Sequence, residues 1–286
     1  MFLLQNAGYL PPNFWMNLWR LWPLVLVLAG VELLLAHRVP WLALVGLAAI
    51  VLVLGALVSG PSLSQSPTQA AVTHTTQTDL GGATQAAVTV RFGAGQLNVG
   101  PLGQVADNQL AATTYTGPPD LEPQATYSPD GGTGQLEYQV SGHGPDFMPF
   151  VGGRPQARMD LNLSQKVPIT SLNVQTGATD AHLDLSNLLV SNLDINVGAA
   201  STWIRLPEAA RSTNAHIAGG ASTITLEIPS GVGAEIRHRG GLSTVNVDQS
   251  RFPMVGDGLY RSADYSTATN KVDITIETGV TSIQVN

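Results

Sequence analysis

The chain contains no cysteine. Disulfide staples, thiolate metal sites and a cysteine nucleophile are therefore excluded. Charge is also scarce: 12% of the 286 residues are Asp, Glu, Lys or Arg, about half the usual share. Beyond residue 60 there are 11 Lys and Arg against 19 Asp and Glu, a formal charge of −8 with no basic block. Nucleic acid is not an expected partner. Nucleophile-elbow, phosphate-cradling and metal-ligand spacings are missing as well, so neither a catalytic set nor a cofactor or metal site is expected.

Long apolar runs are confined to the first 59 residues. Leu21 to Leu35 is apolar except for Glu32, and Trp41 to Ser59 is a second run without a charge. About 20 apolar residues cross a bilayer core, so the reading is a transmembrane helical hairpin over about 15–36 and 40–59. The alternatives are a buried hairpin of a soluble protein and a cleaved signal peptide; two runs joined by His37-Arg38-Val39-Pro40 fit neither as well. Trp15, Trp19 and Trp22 share one helix face and read as an interfacial belt. Glu32 is an ionisable group within a span and hence a candidate intramembrane partner contact; the plainer reading pairs it with Arg38 near the interface. Arg38 in the connection favours the cytoplasmic side for it, which puts the lipid bilayer among the partners and the C-terminal part outside the cytoplasmic membrane.

Phe2-Leu3-Leu4-Gln5-Asn6-Ala7-Gly8-Tyr9-Leu10 and Trp19-Arg20-Leu21-Trp22-Pro23-Leu24, followed by aliphatic residues to Gly30, resemble the LiaI/LiaF-like transmembrane region of bacterial membrane proteins over residues 1–58. The resemblance implies that residues 1–10 are the remnant of an earlier span. It also implies an alternative role, a membrane regulator of an envelope-stress-sensing kinase, whose C-terminal domain faces the cytoplasm in that branch. Residues 60–86 are rich in Ser, Thr, Gln and Gly and read as a flexible spacer.

From Thr170 onward one pattern recurs around a glycine: Gly177, Gly198, Gly220, Gly241 and Gly279, at intervals of 21, 22, 21 and 38 residues. Positions five and three before the glycine are Leu172/Val174, Leu193/Ile195, Ala215/Ile217, Ile236/His238 and Ile274/Ile276. Positions four and six after it are Ala181/Leu183, Thr202/Ile204, Ile224/Leu226, Val245/Val247 and Ile283/Val285. Val88, Val90, Leu97 and Val99 fit the same frame around Gly93. Period two on both sides of the glycine is strand alternation with one face buried, and the glycine suits a corner with unusual φ. One coil cannot bury its apolar side alone, so the coils stack. The fold expected over 87–286 is mainly β: a β-solenoid-like stack of 21–22-residue coils. The competing reading is an antiparallel sandwich whose strands resemble one another by accident.

Stacked in sequence order, position +7 runs Asp184, Arg205, Glu227, Asp248 and position +5 runs His182, Trp203, Thr225, Asn246. Trp203 is thus an outward aromatic and a candidate contact, though a lone surface aromatic is the commoner case. His238 interrupts the apolar column and reads as a structural histidine. The 38-residue gap is filled by Gln249 to Ala268, read as a protruding loop; Phe252, Met254, Tyr260 and Tyr265 make it a candidate interaction surface.

Val90-Arg91-Phe92-Gly93-Ala94-Gly95-Gln96-Leu97-Asn98-Val99, the strand pair about Pro129-Asp130-Gly131-Gly132, the repeats, and the closing Ile276 to Val285 resemble the toast-rack family of bacterial envelope proteins and related adhesin-like β-domains. The resemblance implies fold and envelope location more than chemistry. Together these readings suggest a non-catalytic scaffold, adhesin-like or interaction module, with an envelope polymer, a membrane signalling protein or self-association as partner. A solenoid carbohydrate-active enzyme is the remaining alternative, because sheet faces can hold paired carboxylates.

Overall fold

The computed structural model describes residues 70–103, 108–142, 156–240 and 243–286, which belong to one unit, 67–286. The spans expected at 15–36 and 40–59, Glu32 and the Trp15/Trp19/Trp22 face lie outside the described residues. Within them the secondary structure is strand, with no helix.

Each coil is an L. One arm precedes the hinge glycine, the other follows it, and alternate side chains of both arms point into the angle. Where the hinge is tight the two arms form one continuous strand, as in β2 (Gln85–Pro101), β7 (Ile169–Asp184), β10 (Ser212–Glu227) and β15 (Asn270–Val285). In other coils they are separate, as in β5 (Thr133–Gly142) with β6 (Arg158–Leu163), β8 (Asn192–Val197) with β9 (Ser201–Arg205), and β11 (Val232–Gly240) with β12 (Thr244–Val247). All neighbouring coils pair in parallel. Parallel strands sit about 4.8 Å apart, so the seven rungs extend about 29 Å from first to last.

The register is the one the glycine frame demands. Val174 faces Ile195, Ile195 faces Ile217, Asp184 faces Arg205 and Arg205 faces Glu227. Buried columns result: Leu136, Val88, Leu172, Leu193, Ala215, Ile274 and Ile236 at position −5, and Leu161, Val99, Leu183, Ile204, Leu226, Val285 and Val247 at +6. Short returns close the third side with Leu185, Leu188, Val190, Leu206 and Ile228, all buried. Burial of this kind stabilises by about 25 cal/mol per Å² of apolar surface.

Stacking in sequence order is not what the chain does. The rungs run β5/β6, β2, β7, β8/β9, β10, β15, β11/β12. The last strand inserts between the two coils that precede it in sequence, so the rung bearing His238 becomes the final one. At the opposite end the first long strand, β2, is likewise one rung in. The +7 row therefore reads Asp184, Arg205, Glu227, Asn286, Asp248, because Leu226 faces Val285 and Val285 faces Val247.

Three further expectations change. The stretch read as a spacer reaches into the fold: β1 (Val72–Asp79) pairs antiparallel with β3 (Gln109–Gly117), which pairs antiparallel with β6. Its threonines carry the β-propensity that a composition of Ser, Thr and Gln conceals. The described hinge glycines Gly177, Gly198, Gly220 and Gly279 do not need an unusual φ; positive values occur instead at Gly95, Gly131, Gly132 and four other described glycines. The hinge requires close approach. A Cβ on Gly220 would stand 3.1 Å from the carbonyl oxygen of Gly198, and one on Gly279 3.1 Å from that of Gly220. The 249–268 insertion is not a free loop either: β14 (Leu259–Arg261) adds antiparallel to β11, and β13 (Met254–Gly256) to β14. At the other end β4 (Leu121–Asp130) adds to β5 through the turn at Gly131 and Gly132.

Candidate interaction surface

Each arm presents an outward face on which polar side chains repeat at rung spacing. On the arm after the hinge, position +5 runs Asp160, Asn98, His182, Trp203, Thr225, Gln284, Asn246 across the seven rungs. Trp203 is not a lone aromatic. Its ring stacks on His182 with centroids 4.0 Å apart and 9° between the planes. The rings lie across the stack, one face of the indole is covered, and Trp203 is half-buried. It presents an edge, so it does not serve as an open stacking platform.

Charges on this face are spaced. Asp160 accepts from Asn98 at 2.6 Å and from the Arg158 guanidinium at 3.0 Å; those bonds hold its carboxyl below the usual carboxylate range against the opposing effect of burial. Arg205 lies 3.6 Å from Glu227. Asp184 turns to its own corner, accepting from the Ser186 amide and hydroxyl at 3.2 and 2.7 Å. Asp248 repeats that corner with Ser250 at 3.0 and 2.6 Å, which likewise keeps its carboxyl low. These two aspartates close arms by capping turns; they are not poised as an acid and base pair.

The face before the hinge is richer in amides. Gln175 donates to Asn173 at 3.1 Å, Asn214 to Asn192 at 3.4 Å, and Asn196 to Asp194. His216 stands between two carboxylates, with Nδ1 3.7 Å from Asp194 and Nε2 3.6 Å from Glu277. The sequence reading missed this triad because Glu277 reaches His216 only through the insertion of β15 beside β10. The two ring nitrogens face different carboxylates, so the set does not converge on one ion. Among the described residues no group of three or more metal-ligating side chains converges. A shallow hollow of about 260 Å³ lies on the hinge, lined by Arg91, Phe92, Gly93, Gln139, Gln175 and Thr176 among others; Arg91 is paired with Glu137.

The candidates from the insertion separate. Phe252 is fully buried and Tyr260 is 8% exposed. Tyr260 faces Ile236 and extends the −5 column by one member. The Arg251 guanidinium lies over the Phe252 ring, 4.7 Å from its centroid, and donates to the carbonyls of Ile228 and Pro229. Both are core residues rather than contact residues. Tyr265 is half-buried, donates its hydroxyl to Asp273, and has its phenol pushed up to about 12, first by burial and then by Asp273. It pins the turn that packs on Gly233. Met254 and its neighbour Val255 are 54% and 52% exposed, so of the residues expected in this surface Met254 is the one freely displayed.

His238 is partly buried in the final rung. Its Nε2 lies 3.0 Å from the Ser243 hydroxyl and 3.4 Å from that of Thr278, and burial lowers its pKa. The structural reading of this histidine agrees with those contacts.

Among curated proteins none matches the chain in sequence. A solved structure of a candidate cell adhesion protein from Clostridium sporogenes is similar at 20% identity over 75% of this chain and 98% of that one, with a TM-score of 0.68. It shares the fold. A candidate adhesin from Bacteroides fragilis, at 10% identity over 75% and 97%, superposes only loosely, with a TM-score of 0.28. The family model for the N-terminal domain of toast_rack, DUF2154, matches residues 65–227, more than half of the chain, and the protein therefore belongs to the toast-rack family.

Proposed function

We propose that this chain is a membrane-anchored, non-catalytic interaction module of the bacterial cell envelope, used in the manner of an adhesin, with residues 1–59 as anchor and the β-domain on the extracytoplasmic side. The observation that carries the reading is the regularity of the outward faces. Two sheets of polar side chains repeat at rung spacing: on one, Asp160 is engaged by Arg158 and Asn98, Asp184 by Ser186, Asp248 by Ser250 and Glu227 by Arg205; on the other, Glu137 is paired with Arg91 and His216 stands between Asp194 and Glu277. A reactive group set apart from that pattern would point to chemistry; amides and hydroxyls in rows point to contact over an area, including with a hydroxyl-rich envelope polymer. The similarity to a solved cell adhesion candidate supports the same direction, as does the apolar N-terminal hairpin in the sequence.

The test uses the full chain in bacterial cells. Protease added to intact cells is expected to remove the β-domain while a cytoplasmic marker survives, and the purified full chain in detergent is expected to sediment with isolated envelope material. Protection of the β-domain in intact cells, or failure to sediment with any envelope fraction, overturns the reading.

A further inference from the structure

The two ends of the stack differ. At the end where the chain enters the domain, β4 covers one arm of the first rung and β3 covers the other, with β1 outermost. These outer strands carry Pro123 and Pro129 in β4 and Thr73, Thr75, Thr76 and Gln77 in β1. Proline removes backbone donors and polar side chains weaken further pairing, as expected of an edge built to stay an edge.

The far end is finished on one arm only. β14 and β13 cover β11. On the other arm β12 pairs with β15 along one side, and among the described residues no strand lies along its other side. Half of its backbone donors and acceptors thus face outward. Val245 and Val247 carry the apolar columns to this edge. Three large apolar side chains are more than half exposed among the described residues, and two of them, Met254 and Val255, lie on β13 at the same end.

Charge singles out the same end. Residues 232–267 hold Arg237, Arg239, Arg251 and Arg261 against Glu235, Asp248, Asp257 and Asp264, a net charge of zero. The whole charge of −8 beyond residue 60 therefore sits on the rest of the domain. Two acidic copies meet with least repulsion through the end where both signs are balanced.

The geometry points to a second copy of this chain as the partner of the far end, with β12 running antiparallel to β12 of its mate about a two-fold axis. An edge is complementary to itself in that arrangement: each unpaired donor meets an acceptor, the valine columns of the two copies adjoin, and the contact closes as a dimer. A head-to-tail filament is disfavoured because the opposite end is guarded. This inference rests on the reading of the chain as an interaction module and names one partner for it.

The absence of native cysteine provides the test. In the purified full chain in detergent, Asn246→Cys is treated with a short bis-maleimide, beside Ser201→Cys on the flank and Thr73→Cys at the guarded end. Most of the Asn246→Cys chain is expected to migrate as a crosslinked dimer, with little from the other two, and Val255→Lys added to Asn246→Cys is expected to reduce the dimer several-fold while the circular dichroism of a β-protein is unchanged. Crosslinking of Asn246→Cys no greater than that of Ser201→Cys overturns the proposal, as does a dimer yield from Thr73→Cys equal to that from Asn246→Cys. Sedimentation of the same variants with envelope material reads the broader function separately: envelope binding without a dimer sinks this inference alone.

Discussion

Gly198 lies directly over Gly177, so that a Cβ on the first would stand 2.9 Å from the carbonyl oxygen of the second. The same overlap recurs at Gly220 and Gly279. The hinge is a column of glycines in contact, each made necessary by its neighbour. Gly198→Ala should therefore force adjacent rungs apart and cost about 1–3 kcal/mol, the usual range for overpacking. Gly100→Ala, which has open space and no positive φ, is the matched control and should be near neutral. Urea midpoints of the two variants check this; equal midpoints would remove the packing account of the repeat.

Phe252 and Met254 are two residues apart and belong to different environments. Phe252→Ala should cost about 3–5 kcal/mol, as for a fully buried aromatic. Met254→Ala, on an exposed side chain, should stay within about 0.5 kcal/mol. Thermal unfolding of both tests whether the insertion is part of the core. A silent Phe252→Ala would restore the insertion as a surface loop.

The glycine frame in the sequence was enough to set inward and outward rows, because a period of two leaves no choice once the hinge is placed. It did not set the order of the rungs. The reason lies in what an interior rung must bury. β15 brings Ile274, Ile276, Ile283 and Val285, aliphatic at positions −5, −3, +4 and +6, and takes a slot covered on both sides. β11 brings His238, whose ring nitrogen must meet Ser243 and Thr278, and takes the end, where the ring stays partly exposed. Reading the −3 row for its one polar member could have found this. Phe252 was illegible because its burial is a long-range packing outcome that no local period marks. The contact of His216 with Glu277 depended on the same reordering.

Arg205 separates Asp184 from Glu227 in consecutive rungs. Arg205→Glu would set three carboxylates in a row at about 4.8 Å intervals. Like charges directly opposite on a sheet destabilise, here by about 0.5–1 kcal/mol, and the loss should shrink in high salt because the side chains are partly exposed. Arg205→Gln should cost less than Arg205→Glu. Chemical unfolding at low and high ionic strength checks both, and a salt-independent loss would mean that packing of the arginine stem, not charge spacing, is what the position supplies.

His238 gives the domain an acid sensitivity. Burial lowers its pKa below the ordinary value of 6.5, so the unfolded chain takes up this proton before the folded one does. Between 6.5 and the lowered folded pKa the unfolded state binds more protons, and stability falls as pH falls through that window. Above 6.5 the contribution is fully present. Both hydroxyls meet the same ring nitrogen, Nε2, and in the protonated ring that nitrogen can only donate, so neither hydroxyl can donate to it. His238→Leu completes the apolar column with Ile276 and should flatten the stability profile between about pH 7 and pH 5 without abolishing the fold. The measurement is the urea midpoint across that range. The native chain should show a falling midpoint toward acid and the variant a shallower one; parallel profiles would assign the acid sensitivity to other groups.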